Sequence, residues 1–353
     1  MDVAGDFAVI SIPFTLGTAL SAFVLPESAF AYADAAILAA VSGAFIPVVR
    51  NRGCDRFSSA ALFLILGIFC ARTAALCGTP ALPRIGGISY IRRTIASSEQ
   101  FSDESKAILS AVLTGDRSLL GHDTLEAFRK SGASHILALS GLHLGIIFLI
   151  ADKCLLFLGN SRLGSIVRSA ACISICLWYT IATGSSPSIT RAFLFICLNE
   201  VTKHTAGRKR NAANIFLFSM MVQLVINPYS ITEISFQLSY LAVLGIIVLF
   251  PTLGRMYPVS FKWDPAGRIW SAVCLSVSCQ AFTAPLAWYY FHSFPTHFLL
   301  TNLIALPLTW MLIVTGLAGI ILSSFASCPP FLSDSVNFLS DALESSLEII
   351  ASM

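Results

Sequence analysis

Charged side chains are scarce in this sequence, 12% of 353 residues against 56% hydrophobic, whereas a soluble domain carries roughly a quarter charged residues. That scarcity excludes an ordinary water-solvated exterior. Zinc-like spacing is also missing. The ten cysteines form no C-x-x-C pair, and Cys70, Cys172, Cys176, Cys197 and Cys274 fall inside apolar runs, where they read as small buried residues. No Gly-rich phosphate loop ending in Gly-Lys-Ser/Thr occurs, so the sequence offers no nucleotide site of its own, and no cofactor is expected. Any transport would draw its energy from a partner or an ion gradient. No basic stretch precedes Phe7–Leu25, which argues for a first span over a cleaved signal peptide. Internal repeats and low-complexity tracts are absent.

Long hydrophobic runs are abundant instead. A helix needs ~20 mostly apolar residues to cross a bilayer. Runs of that kind are Phe7–Leu25, Ala29–Val49, Ser58–Gly78, Ile136–Leu158, Ile166–Thr183, Ile189–Val201, Ala212–Ile226, Ile231–Phe250, Ile269–Phe291 and Phe298–Phe325. The expected fold is therefore an all-α polytopic membrane protein with about ten transmembrane helices. Cytoplasmic loops are enriched in Lys and Arg. With the N-terminus inside, the inner loops hold Arg50, Arg52 and Arg56, then Lys153, Arg162 and Arg168, then Lys203, Arg208, Lys209 and Arg210, then Arg255, Lys262 and Arg268, while the short outer loops hold none. The pattern predicts a cytoplasmic N-terminus. It also suggests three parts: a membrane segment over 1–78, an extracytoplasmic connection over 79–135 and a transmembrane domain over 136–353.

The connection carries its own helix signals. Ser102 followed by Asp103 and Glu104 opens a helix with apolar Ala107, Ile108, Ala111 and Val112, expected to lie on the membrane surface, and Gly115 breaks it. Asp123-x-x-Glu126 predicts a capping box for a second short helix that Gly132 ends. Pro307 predicts a kinked or broken helix within Phe298–Phe325. Finally, Leu332, Val336, Leu339, Leu343, Leu347 and Ile350 make a C-terminal amphipathic helix, interfacial or packed on a partner.

Chemistry-bearing residues concentrate in the run His135 to Gly145. Ser140 and His143, three apart, share a helix face, and an imidazole in a membrane segment is costly unless it meets a polar cavity or partner. The plain structural alternative is helix packing through Gly141-x-x-x-Gly145. Arg191, Asn199, Glu200, Gln237, Gln280 and Asn302 are further polar residues inside or at the ends of apolar segments, where unpaired groups are expensive. Arg191 also suits snorkelling to the outer interface. The Lys203 to Arg210 cluster reads first as a topology signal.

Several ordered blocks resemble the ComEC family of competence proteins. They are Asp116-Arg117, Glu126-Ala-Phe-Arg129-Lys-Ser-Gly-Ala-Ser-His135, Leu139-Ser-Gly-Leu-His143, Pro187-Ser-Ile-Thr-Arg191-Ala, Asn227-Pro-Tyr with Ser235-Phe-Gln237-Leu-Ser239, and Phe294-Pro with Asn302-Leu-Ile-Ala-Leu-Pro307. Together they cover about Lys106 to Ile350. The resemblance implies a bacterial inner-membrane channel that conducts single-stranded DNA into the cytoplasm during transformation. It makes Ser140, His143, Arg191, Gln237, Gln280 and Asn302 candidates for the path, and Asp116, Arg117, Arg129 and His135 family positions in the external loop. Arg191 would steady a passing phosphate, and aromatic rings would stack bases. Implied partners are single-stranded DNA, the lipid bilayer, a separate DNA receptor, a nuclease, a cytoplasmic helicase-like ATPase and further copies of the chain. The sequence departs from full-length relatives in two ways. Its external connection is too short for an OB-like barrel, and its six histidines form no H-x-H-x-D-H metal motif. A minimal or truncated member is expected.

Two other functions compete. A transporter or scaffold of the same fold would handle another solute without taking up DNA. An intramembrane serine hydrolase would need Ser140 beside a base, but Ala138-Leu139-Ser140-Gly141 lacks the leading Gly of G-x-S-x-G, and His143 on the same helix is expected to be a poor base. No catalytic residue is therefore expected.

Overall fold

The computed structural model describes residues 3–23, 56–77, 87–159, 161–204, 212–257, 264–292, 296–325 and 329–353, and all regular secondary structure among them is helical. The α-helices are α1 (Val3–Phe23), α2 (Arg56–Cys77), α3 (Gly87–Ser97), α4 (Asp103–Thr114), α5 (His122–Lys130), α6 (Ser134–Leu137), α7 (Gly141–Cys154), α8 (Arg162–Ala182), α9 (Pro187–His204), α10 (Ala212–Ile226), α11 (Ile234–Gly254), α12 (Pro265–Phe291), α13 (Phe298–Phe325) and α14 (Pro330–Ser352). Helix suits apolar surroundings because every internal backbone group is satisfied within the segment.

Among the described residues five stretches are long and apolar enough to cross a bilayer: Gly141–Leu158, Arg162–Ala182, Ile234–Gly254, Pro265–Phe291 and Phe298–Ser323. Ala8–Phe23, Ser59–Ala74 and Ala212–Ile226 are shorter apolar helices. The expected run Ile189–Val201 lies in α9, whose Arg191, Glu200 and Lys203 make it too polar to join the five. The expected span over Ala29–Val49 lies outside the described residues.

The chain divides into two compact units. The first comprises Met1–Ala81 and Leu194–Val243, and the second Leu82–Phe193 and Leu244–Met353. In the first, α1 and α2 approach backbone to backbone. A β-carbon at Gly17 would meet the Leu64 carbonyl, and one at Gly67 would meet the Phe14 carbonyl. Two glycines thus bring the helices together where apolar burial in lipid offers little drive and close packing must supply it. Helix α1 packs also on α10 and on the 3-10 turn Pro228–Thr232.

The second unit is organised around α4. Ser102 caps its start, its side chain accepting from Ser105 N at 3.1 Å, and Gly115 at φ 73° closes its end, as the sequence predicts. Its placement differs from the expectation of a surface helix: Ser105 and every residue from Ala107 to Thr114 are buried. Helices α3, α6, α13 and α14 pack on it, so protein, not a bilayer surface, covers its sides. Small residues permit this, with Ala107 and Ala111 on one side and Gly316 of α13 against Leu109 on another. Tyr179 of α8 donates to the Leu113 carbonyl at 2.8 Å, satisfying one of the acceptors that a helix end leaves open.

Helix α5 corrects a second expectation. It begins after Gly121 with no side-chain cap, and Asp123 stands exposed in its first turn instead of capping. Glu126, expected to reach back to the cap, pairs with Lys130 at 2.9 Å one turn onward. Of the kinked or broken helix expected at Pro307, the break does not occur: α13 runs through it as one continuous helix. Pro307 is exposed, while α3, α4, α7, α12 and α14 pack along the same helix. The C-terminal α14 buries its predicted stripe, Leu332, Val336, Leu339, Leu343, Leu347 and Ile350, within this chain against α4, α5 and α13. Polar locks fix its register: Thr124 donates to Glu344 Oε1 at 2.6 Å, and Asn337 Oδ1 accepts from Ser102 N at 3.0 Å.

Arg92 of α3 ties the end of α4, donating from Nε to Thr114 Oγ1 at 3.3 Å and pairing with Asp116 at 3.0 Å. Hydrogen bonds from Ser118, then the Arg92 charge, hold the Asp116 carboxyl below its usual range. Because the folded state favours the ionised form, this stabilisation is present at neutral pH and is lost as pH falls below the ordinary carboxylate value of ~3.9. Asp116→Asn should therefore lower the thermal midpoint slightly at pH 7, by the ~0–1 kcal/mol of a partly exposed pair. The difference from wild type should close in acid; a gap that widens on acidification would contradict the pairing.

Gly17→Leu or Gly67→Leu should disrupt the α1–α2 contact by overpacking, about 1–3 kcal/mol or more. Gly145→Ala, where a β-carbon meets nothing within 4 Å, should be silent. Monodisperse yield after detergent extraction and mild heating reads both outcomes.

Candidate functional site

The segment that leads to the site is shaped by two turns and one helix start. After α5, Gly132 adopts φ 81°, α6 makes a single turn, and the chain then extends through Ala138 to Ser140. The expected span from Ile136 therefore begins only at Gly141. Ser140 is its N-cap and not a residue within a helix face.

Ser140 and His143 form a reciprocal capping box. The Ser140 side chain accepts from Leu142 N at 3.3 Å, and the Ser140 backbone N–H donates to His143 Nδ1 at 3.1 Å. The sequence pattern behind such boxes normally places Glu or Gln where His143 stands. The Ser140 hydroxyl also lies 2.9 Å from Nδ1, so His143, expected to be a poor base, is within hydrogen-bond reach of it. Because Nδ1 accepts the backbone N–H, the neutral ring carries its proton on Nε2. That Nε2 is buried in a residue only 1% exposed, and among the described residues it meets no acceptor.

Arg191 approaches Gly141. A β-carbon there would stand 3.2 Å from Ala192 Cβ and 3.7 Å from Arg191 Nη2, so α9 crosses α7 at its first residue. Gly184 at φ 83° and Ser185 at φ 52° make the tight turn from α8 that starts α9 at Pro187. Gly145, by contrast, has no close neighbour, so the Gly141-x-x-x-Gly145 reading survives only at its first residue.

The other predicted residues divide. Asn302 of α13 donates to Ser276 of α12 at 3.4 Å, while its buried Oδ1 has no donor among the described residues. Gln280 lies one helical turn beyond Ser276 on α12. Gln237 belongs to the first unit and donates to the Ile231 carbonyl at 2.8 Å, a local brace for the turn before α11. In the loop, Asp116 is held by Arg92, His135 Nδ1 lies 3.0 Å from the Gly132 carbonyl, and Arg117 and Arg129 are exposed. No group of three or more metal-ligating side chains occurs among the described residues.

Some polar locks had no sequence signal. Gln223 and Tyr240 bond at 3.1 Å inside the first unit, and Thr301 donates to the Ser131 carbonyl at 2.6 Å in the second. Arg168, counted as an inner-loop charge, lies buried in α8 and pairs with Asp152 of α7 at 3.1 Å. A single Thr, Tyr or Gln in an apolar run does not announce its partner.

Residues 112–353 match the competence protein family. The chain is 32% identical to ComE operon protein 3 of Bacillus subtilis (strain 168) over 228 residues, 64% of this chain and 27% of that protein. It is 23% identical to the uncharacterized protein YcaI of Escherichia coli (strain K12) over 67% of this chain and 31% of that one. An uncharacterized protein of Aquifex aeolicus (strain VF5) is 25% identical over 66% of this chain and 52% of its own length. The matches thus span from 27% to 52% of the length of these relatives. No solved structure matches. The family match takes in α5, α6, the Ser140–His143 cap and the five long apolar helices found among the described residues, and so this membrane protein belongs to the ComEC-type competence protein family.

Proposed function

We propose that the chain is a component of a bacterial inner-membrane channel that conducts single-stranded DNA into the cytoplasm during natural transformation, with its N-terminus on the cytoplasmic side. The observation that carries this reading is the family match over 112–353, which includes both His143 and the segment that brings Arg191 beside Gly141. A phosphate leaving water requires fixed donors, and Arg supplies planar paired ones that Lys does not reproduce. His143, Arg191, Gln280 and Asn302 are the proposed path residues of the second unit, and Gln237 that of the first. A DNA receptor, a nuclease and a cytoplasmic ATPase are the partners this function requires.

The 2.9 Å contact of Ser140 with His143 gives the hydrolase reading a specific observation. Its geometry is equally that of the helix cap, in which the Ser140 oxygen already accepts from Leu142 N. We assign the pair to capping, with no nucleophile. Fluorophosphonate should leave the purified protein unlabelled; labelling that vanishes in Ser140→Ala would restore the hydrolase.

In a strain whose transformation depends on this gene, Arg191→Ala should lower uptake at least tenfold and Arg191→Lys less, at unchanged membrane level. Arg210→Ala, at a position assigned to topology, should transform as wild type. Unchanged uptake in Arg191→Ala would remove the phosphate role, and a deletion without effect would remove DNA as cargo. Orientation has its own test: on a Cys-free background, an impermeant thiol reagent applied to spheroplasts should label a cysteine at position 98 and not one at 206.

A further inference from the structure

We infer that the turn joining α7 to α8 is a docking surface for the anionic headgroups of a bilayer leaflet, with Lys153 and Arg162 as the two cations that hold them. The inference rests on the chain being a membrane protein and is independent of DNA as cargo.

The turn is built to face outward. After Cys154 the chain continues as a 3-10 helix, Leu155–Leu158, in which no residue is buried, and Gly159 follows at φ 77°. Ser161 caps α8, its side chain accepting from Gly164 N at 3.0 Å, and a β-carbon added at Gly164 would meet the Leu158 carbonyl. The 3-10 helix and the start of α8 are thus packed closely, while their apolar side chains point away. Phe157 is 78% and Leu163 72% exposed, and Leu149, Leu156, Ile166 and Val167 are exposed beside them. Apolar surface of this kind is favoured in hydrocarbon over water.

Length brings the turn to the edge of that hydrocarbon. The fourteen residues of α7 and four of 3-10 helix measure about 29 Å at ~1.5 and ~2.0 Å per residue, against ~30 Å for a bilayer core. With Gly141 at one edge, Leu158 reaches the other.

Charge then selects the lipid. Lys153 lies within the span Gly141–Leu158 and is exposed. A lysine facing lipid there extends its ammonium to the headgroups. Arg162 is exposed in the first turn of α8. Asp152 is the one acidic residue from Leu149 to Val167, and it does not offset these cations, because it pairs with Arg168 of α8 at 3.1 Å. Lys153 and Arg162 have no carboxylate partner among the described residues. The turn therefore presents two positive charges and an apolar surface together, the complement of an anionic leaflet. A soluble polyanion would match the charges and leave Phe157 and Leu163 in water.

Two measurements test this. Native mass spectrometry of the purified full chain, released from neutral detergent, reads the retention of added phosphatidylglycerol or phosphatidylcholine. Wild type should retain phosphatidylglycerol in preference. Lys153→Gln and Arg162→Gln should each weaken that retention about fivefold, and the double variant about twentyfold, as expected for basic residues at an anionic surface. Lys153→Arg should retain it as wild type does, and so should Arg93→Gln, which removes an equal charge from the exposed side of α3. Equal retention of the two lipids by wild type, an unaffected double variant, or an equal loss in Arg93→Gln overturns the proposal. Both key side chains are exposed, so either single variant decides alone if the double variant is not recovered. The second measurement places a nitroxide at Phe157→Cys on a Cys-free background in vesicles of the two lipids. Collision with oxygen, concentrated in the bilayer, should exceed collision with a water-soluble nickel chelate. Preferential access of the chelate would put the turn in water, and access of neither reagent would mean that protein covers it; each result overturns the docking surface.

Discussion

The second unit depends on burying a polar-ended helix from every side. Helix α4 is twelve residues long, and Ala107 to Thr114 is a continuous buried stretch, so no face is left to water. A helix so placed requires neighbours all round and partners for its open ends. Helices α3, α6, α13 and α14 supply the first. Ser102, Gly115, Arg92 and Tyr179 supply the second, through cap, turn, side-chain brace and a bond to the Leu113 carbonyl. The C-terminal α14 is thereby an integral wall of the unit: its apolar stripe closes the core, and its Asn337 and Glu344 hold the starts of α4 and α5.

The candidate site follows from that arrangement. The chain leaves α4 through Gly115, where an added β-carbon would stand 2.9 Å from Leu139 Cδ1, just before the cap of α7. Thr301 anchors the intervening turn at Ser131. Ser140 is thus delivered to the start of α7 by packed neighbours on both sides. His143 closes the cap with one nitrogen and keeps the other as a donor.

Family membership and geometry constrain different things. The match over 112–353 assigns the competence-type membrane body, while the relatives extend well beyond the region this chain shares with them.

Composition and period were enough to show a helical membrane protein, the places of the five long apolar helices found among the described residues, the Ser102 and Gly115 boundaries of α4 and the buried stripe of α14. Those properties are local: an apolar run of sufficient length, or a cap three residues from its donor, carries its own energetic reason wherever the chain goes. The break before Gly141, the burial of α4 on all sides, the unbroken course through Pro307 and the pairing of Arg168 with Asp152 were not legible in this way. Each depends on a neighbour distant in sequence. The same holds for the site, where Ser140, His143 and Arg191 were visible as unusual polar residues. Only tertiary packing decided that α9 crosses α7 at Gly141, because the close approach of two helices depends on the side chains facing each other and not on either helix's own sequence.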